Sequence, residues 1–301
     1  MNTNGNTYTV IYSIVLVVLV AAILAFVAMS LQDKQNENVK KETITKVLNA
    51  ATQTDESLTI DETTDVLKLY SEKITEAFYV DGNGNIAGKM DMGKDDVTKI
   101  QVPSTSDLKK QNDILKKIDG TEDEAARAAL LESLRLPVFI FDINGRAITV
   151  IPCYGAGLWG PIWGYIALAE DGKTIDGAIF DHKGETPGLG SKIAEPAFYI
   201  DRFKGKSLGS GETIFSIEKG KHEDNPHCVD AISGATITSR ALGKGINLWT
   251  KYCMPYLEKA ATAVTDSCAA RTCIPATAIE AADSTAAADT TVTGQINQME
   301  E

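Results

Sequence analysis

The sequence predicts an α+β chain: one N-terminal transmembrane helix, then a domain with a mainly antiparallel, twisted sheet packed by helices. Three observations carry this. A twenty-residue run from Val10 to Met29 holds no charge. Further on, runs rich in β-branched and aromatic residues are joined by Asn-Gly or Asp-Gly pairs. Between and after them, apolar residues recur at helical spacing.

The elements follow in order. Residues 1–9 form a short tail, and the transmembrane helix takes residues 10–31. At ~1.5 Å per residue, twenty helical residues span roughly 30 Å, the thickness of a bilayer's hydrocarbon core. A cleaved signal peptide is the competing reading. It wants a shorter apolar region behind a basic stretch, and no Lys or Arg precedes this one. Lys34, Lys40, Lys41 and Lys46 follow the helix, but long domains translocate largely regardless of such charges. Charge therefore leaves the orientation open. Residues 32–134 read as a membrane-proximal α/β region. Val39, Ile44, Val47 and Leu48, then Ile60, Val66 and Leu67, predict one or two helices. AFYVDGNGNIAG predicts a tight hairpin, and a helix is expected near Glu122–Leu134.

Residues 135–258 read as the functional domain. VFIFDINGRAITVI predicts a type I′ hairpin turning at Asn144-Gly145, and GYIALAEDGKTIDGAIF another turning at Asp171-Gly172. Such meanders predict one antiparallel sheet covered by helices on one face. Helices are expected around Glu195–Arg202 and over Ser239–Leu257. Residues 259–301 are Ala- and Thr-rich with few large apolar side chains, which predicts a disordered tail.

Composition excludes some functions. The formal net charge is −12, against the basic surface that a nucleic-acid binder needs. The five cysteines, an odd number with irregular spacing, are not a disulfide framework, although Cys268 and Cys273 can pair in an oxidising compartment. KHEDNPHC, with His222, His227 and Cys228, resembles a metal cluster, but its Asn, Pro and Asp read as an exposed loop. No GxGxxG opens a helix and no Walker pattern occurs, so no NADH site is expected on this chain.

The stretch DAISGATITSRAL, Asp230 to Leu242, places small residues and hydroxyls just where helical periodicity begins at Ala241, Leu242, Ile246 and Trp249. Thr238 and Ser239 suit an N-cap. Unpaired N–H groups and the helix dipole favour an anion there, phosphate especially. Gly234 and Ala235 clear side-chain bulk from its approach. A capped helix without a ligand accounts for the spacing equally well.

DAISGAT resembles the flavinylation motif of the FMN-binding domain family, Asp-x-x-Ser/Thr-Gly-Ala-Thr. HKGETPGLGSKI and NGRAITVIPCYGAGLWGPIWGYIAL resemble two more stretches found in electron-transfer complexes of that family, the sodium-translocating NADH:quinone reductase above all and the Rnf complex as the alternative. The resemblance implies FMN bound covalently by a phosphoester to Thr236, with Thr238 the nearby competitor. It implies that Asp230 orients the motif or assists attachment, and that Ser233 positions the phosphate. Glu185, Thr186, Leu189 and Gly190 become candidates for contacts around the flavin. Trp159 and Trp163 are candidates to stack on its ring, although packing in the core or against the membrane is favoured for both.

The same resemblance implies an electron-carrier subunit in the bacterial inner membrane with its flavin domain on the periplasmic, extracytoplasmic side. It would pass electrons from a membrane iron–sulfur centre to the flavin of the neighbouring B subunit. The implied partners are the B, D and E subunits and the NADH-oxidising F subunit, with a separate flavin transferase for maturation. A membrane-anchored binding or scaffold domain with no redox role is the reading of another class.

Overall fold

The computed structural model describes residues 6–272 apart from 54, 56, 57, 59, 62, 197 and 212, with no side-chain placement at 7 or 263–272. Helix α1 runs unbroken over Asn6–Thr52. No Gly or Pro interrupts it, so nothing in its sequence favours a kink. Among the described residues it is the one helix long and apolar enough to cross a membrane, and its apolar window is not buried by protein. Its other end is a core helix, with Ile44, Val47 and Leu48 fully buried.

Helix α2 (Val66–Lys73) follows, and then six strands make one antiparallel sheet. These are β1 (Ile74–Val80), β2 (Ile86–Lys89), β3 (Leu136–Ile143), β4 (Arg146–Ala156), β5 (Pro161–Leu168) and β6 (Ile175–His182), in the order β2-β1-β3-β4-β5-β6. The membrane-proximal strands β1 and β2 thus share a sheet with β3–β6, through the pairing of β1 with β3. Asn144 at φ 55° and Gly145 at φ 79° give the β3–β4 hairpin the two positive φ values of a type I′ turn.

Two helices separate β2 from β3: α3 (Thr105–Asp119) and α4 (Glu124–Ser133). Helix α4 is the one expected near Glu122–Leu134, and α3 has no counterpart among the expected elements. Its signal was present, a Ser104–Asp107 capping box ahead of Leu108, Leu115 and Ile118 on one buried stripe. The expectation of helices on one face also needs correcting, because both faces are covered. Phe139, Phe141, Val150 and Tyr165 pack under α1 and α2. Val138, Ile151, Cys153 and Ile166 pack on the other side, against Leu108 and Leu115 of α3 and Leu242, Ile246 and Trp249 of the last helix. Strands buried on both faces read as continuous apolar runs, and VFIF and YIAL are such runs.

After β6 come short 3-10 turns at Gly190–Ala194 and Ile200–Phe203 in place of the helix expected over Glu195–Arg202. Glu195, before Pro196, is extended at φ −86° and ψ 113°, which ends the first turn. A small parallel pair, β7 (Ser216–Glu218) and β8 (Cys228–Asp230), leads into α5, Thr236–Thr272. Helix α5 therefore continues past Ala260, where the large apolar residues thin out; Cys273 and the remainder of the proposed tail lie outside the described residues.

Candidate functional site

The site forms where the end of β8, the turn after β6 and the β4–β5 connection meet at the start of α5. Gly234 takes φ +78°, a left-handed conformation that suits glycine, and turns the chain into the helix at Thr236. The helix begins two residues before the expected caps, so Thr238 and Ser239 lie inside it. Their hydroxyls point inward. Ser239 Oγ donates to the Ala235 carbonyl at 3.0 Å and accepts the Ile232 N–H at 3.0 Å.

Thr238 is 1% exposed, and its hydroxyl donates to Glu185 Oε2 at 2.6 Å. Thr236 is only half-buried, and among the described residues its hydroxyl makes no hydrogen bond. The backbone N–H groups of Thr236, Ile237 and Thr238 are likewise unpaired there. Orphan donors at the positive end of a helix of this length form a seat for an anion beside an accessible hydroxyl. Ser233 and Gly234 stand exposed at its lip.

Glu185 is the internal brace. It is 4% exposed, and its second oxygen, Oε1, accepts the Trp159 N–H at 2.9 Å. One carboxylate thus ties the β4–β5 connection, the turn after β6 and α5 together. A side chain at Gly190 would reach to within 2.6 Å of Glu185 Oε2 and 3.0 Å of Thr238 Oγ1, and one at Gly157 would strike Glu185 Oε1. Glycine at both places lets the backbone close around the carboxylate.

The other sequence candidates divide. The Thr186 carbonyl accepts the N–H groups of Leu189 and Ser191, which curls the Glu-Thr-Pro-Gly-Leu-Gly turn. Leu189 is 42% exposed and rests against Gly234, where a Cβ would meet its Cδ2 at 3.0 Å. Asp230 accepts the His222 N–H at 2.8 Å, so its carboxylate braces the β7–β8 loop. Of the two packings favoured for Trp159, in the core or against the membrane, the core is excluded: the side chain is 70% exposed and, with Leu158, Leu189 and Ile237, leaves an apolar surface around the first turn of α5. Trp163 packs within 5.5 Å of the Lys46 ammonium on α1. Leu158 and Ile237 were not singled out from the sequence, since a lone exposed aliphatic carries no signal until its neighbours are known.

No group of three His, Cys, Asp or Glu able to hold a metal occurs among the described residues. His227 Nδ1 instead lies 2.6 Å from the Ser207 carbonyl, and Cys228 is buried and free. Burial pushes the Cys153 and Cys253 thiols up to about 12, so both stay protonated near neutral pH and are inert.

An anion seat, an accessible threonine and an apolar surface beside them suit a nucleotide with an apolar ring, and residues 157–251, which hold them, match the model of the FMN-binding domain family. The particular likeness is to the C subunit of the Na(+)-translocating NADH-quinone reductase. The chain is 39% identical over 114 residues to that protein from Neisseria meningitidis, a match covering 36% of this chain and 44% of the relative, under half its length. It is 29% identical over 263 residues to the Haemophilus ducreyi protein, across 85% of this chain and 93% of the relative. The crystal structure of the Parabacteroides distasonis protein superposes with a TM-score of 0.55 at 28% identity, covering 75% of this chain and 96% of that one.

Proposed function

We propose that this chain is the FMN-carrying electron-carrier subunit of a membrane Na+-translocating NADH:quinone reductase, with the flavin held by a phosphoester to Thr236. One observation carries the choice of residue. Thr236 offers a free, half-exposed hydroxyl at the orphan N–H groups of α5, whereas the Thr238 hydroxyl is buried and committed to Glu185. FMN bound here supplies the redox chemistry. The chain's own residues hold it: the N–H groups of Thr236, Ile237 and Thr238 face the phosphate, and Leu158, Trp159, Leu189 and Ile237 screen the ring from water. Glu185 fixes the geometry of all three segments. Anchored by α1, the chain takes its place in the inner membrane with the flavin on the periplasmic side. There it passes electrons from a membrane iron–sulfur centre to the flavin of the B subunit, in a complex with the D, E and F subunits.

The test is the full chain produced beside a flavin transferase and run on a denaturing gel under ultraviolet light. Wild type and Thr238→Ala are expected to fluoresce and Thr236→Ala to be dark. A dark wild-type band, or fluorescence that survives Thr236→Ala, overturns the assignment.

A further inference from the structure

Beside the flavin threonine, on the flank of α5, lies a cavity of about 400 Å³ that shares only Ile237 with the residues assigned to the flavin. From its lining we infer a second ligand site, one that takes a small organic anion: an apolar, flat body carrying a phosphate or carboxylate. Lys116, Arg240 and Lys244 surround the cavity, and none of their side chains has an ion-pair or hydrogen-bond partner among the described residues. In a chain of net charge −12, three free cations around one cavity are a local reversal of sign. Arg240 and Lys244 stand one turn apart on the same face of α5, at the spacing that lets both reach one ligand.

Two largely buried residues with polar side chains, Tyr154 and Asn112, line the same space. Tyr154 is 7% exposed, and its hydroxyl has no hydrogen-bond partner among the described residues. Burial holds its phenol above the ordinary value, with the Asp113 carboxylate adding to the effect, so the group is a neutral donor at physiological pH. Asn112 is 1% exposed, and its amide oxygen accepts the Trp249 indole N–H at 3.2 Å, which leaves the amide nitrogen to donate. Tyr154 and Asn112 both line this cavity, and each has a side-chain donor to offer an acceptor that enters it.

The floor is built for close approach. A Cβ at Gly245 would lie 2.9 Å from the Tyr154 carbonyl oxygen, and one at Gly155 would lie 3.1 Å from that of Ala241. Glycine at both positions lets β4 and α5 meet, while Ile237 and Leu248 give the walls apolar surface. A cavity of this size, apolar-walled with a few convergent polar groups, falls in the range that small ligands fill.

The inference does not require the Thr236 ester, and its test keeps the two apart. The full chain in lipid nanodiscs is titrated calorimetrically with phenyl phosphate, with phenol as the uncharged control, as the flavin-free Thr236→Ala variant and as the flavin-carrying protein. Saturable binding of phenyl phosphate, and not of phenol, is expected in both forms. It should weaken about tenfold or more in the Arg240→Gln/Lys244→Gln double variant, whose exposed positions leave the fold intact. Tyr154→Phe should weaken it several-fold, because one hydrogen bond is lost. Absence of saturable binding, or binding indifferent to these substitutions, overturns the site. Binding confined to the flavin-free form overturns it too, since the cavity would then be the flavin's own bed. A dark Thr236→Ala band on the gel with no phenyl phosphate binding sinks this inference alone.

Discussion

Both oxygens of the buried Glu185 carboxylate accept hydrogen bonds, from the Trp159 N–H and the Thr238 hydroxyl. Removing it strands two donors inside the protein, and a buried donor left without a partner costs about 1–3 kcal/mol. Glu185→Ala is therefore expected to lower stability by about 2 kcal/mol or more and to reduce flavin incorporation. Glu185→Gln keeps an acceptor oxygen, and the Thr238 hydroxyl can turn to accept from the new amide, so its loss should be smaller in urea unfolding. Equal losses from the two variants would refute this bridging role. The residue also shows what the sequence exposed at this scale. Glu185 was legible as a motif member, but a motif does not say whether a carboxylate faces a ligand or braces the wall behind it. The hydroxyls at 238 and 239 misled for a related reason. Thr and Ser are good helix caps, and the same groups bond just as readily within the first turns when the helix starts earlier.

Among the elements, α1 and β6 approach each other closely at a glycine. A Cβ at Gly177 would strike the Ala50 carbonyl oxygen and come within 3.0 Å of Gln53 Cβ. The Gln53 side-chain oxygen meanwhile accepts the Ala178 N–H at 2.7 Å. The helix docks because β6 has no side chain at that point. Gly177→Ala should therefore push α1 off the sheet at a cost of about 1–3 kcal/mol, typical of overpacking. Flavin incorporation should persist, since the site lies at the start of α5. Thermal unfolding of the flavin-carrying protein checks it, and an unchanged midpoint would show that the contact relaxes freely. Elements of this kind explain why the hairpins were legible and the layering was not. Asn144-Gly145 and Asp171-Gly172 encode their turns locally. Whether a second helical layer covers a strand depends on partners far along the chain. The one local clue, the missing polar alternation in VFIF and YIAL, was read as β propensity alone.

For the molecule as a whole, α1 does two jobs with one continuous helix. Its first part, over Val10–Met29, is an apolar run left open to its surroundings, and its last part supplies Ile44, Val47 and Leu48 to the core beneath the sheet. The two parts are physically separable although no break divides them. Residues 32–42 between them are polar apart from Val39, and almost all are exposed. None of the described residues before 32 is buried in the domain, so after deletion of residues 1–31 the remainder should be soluble and fold with nearly the stability of the full chain. Deleting residues 1–53 removes three fully buried aliphatic side chains, worth about 1.5–3 kcal/mol each. That sum approaches the ~5–15 kcal/mol by which a whole domain is stable, so the shorter fragment should fail to fold cooperatively. Circular dichroism melts of the two fragments decide the matter. A cooperative transition in the second would mean that the domain's core closes without α1, and that the helix is an anchor and nothing more.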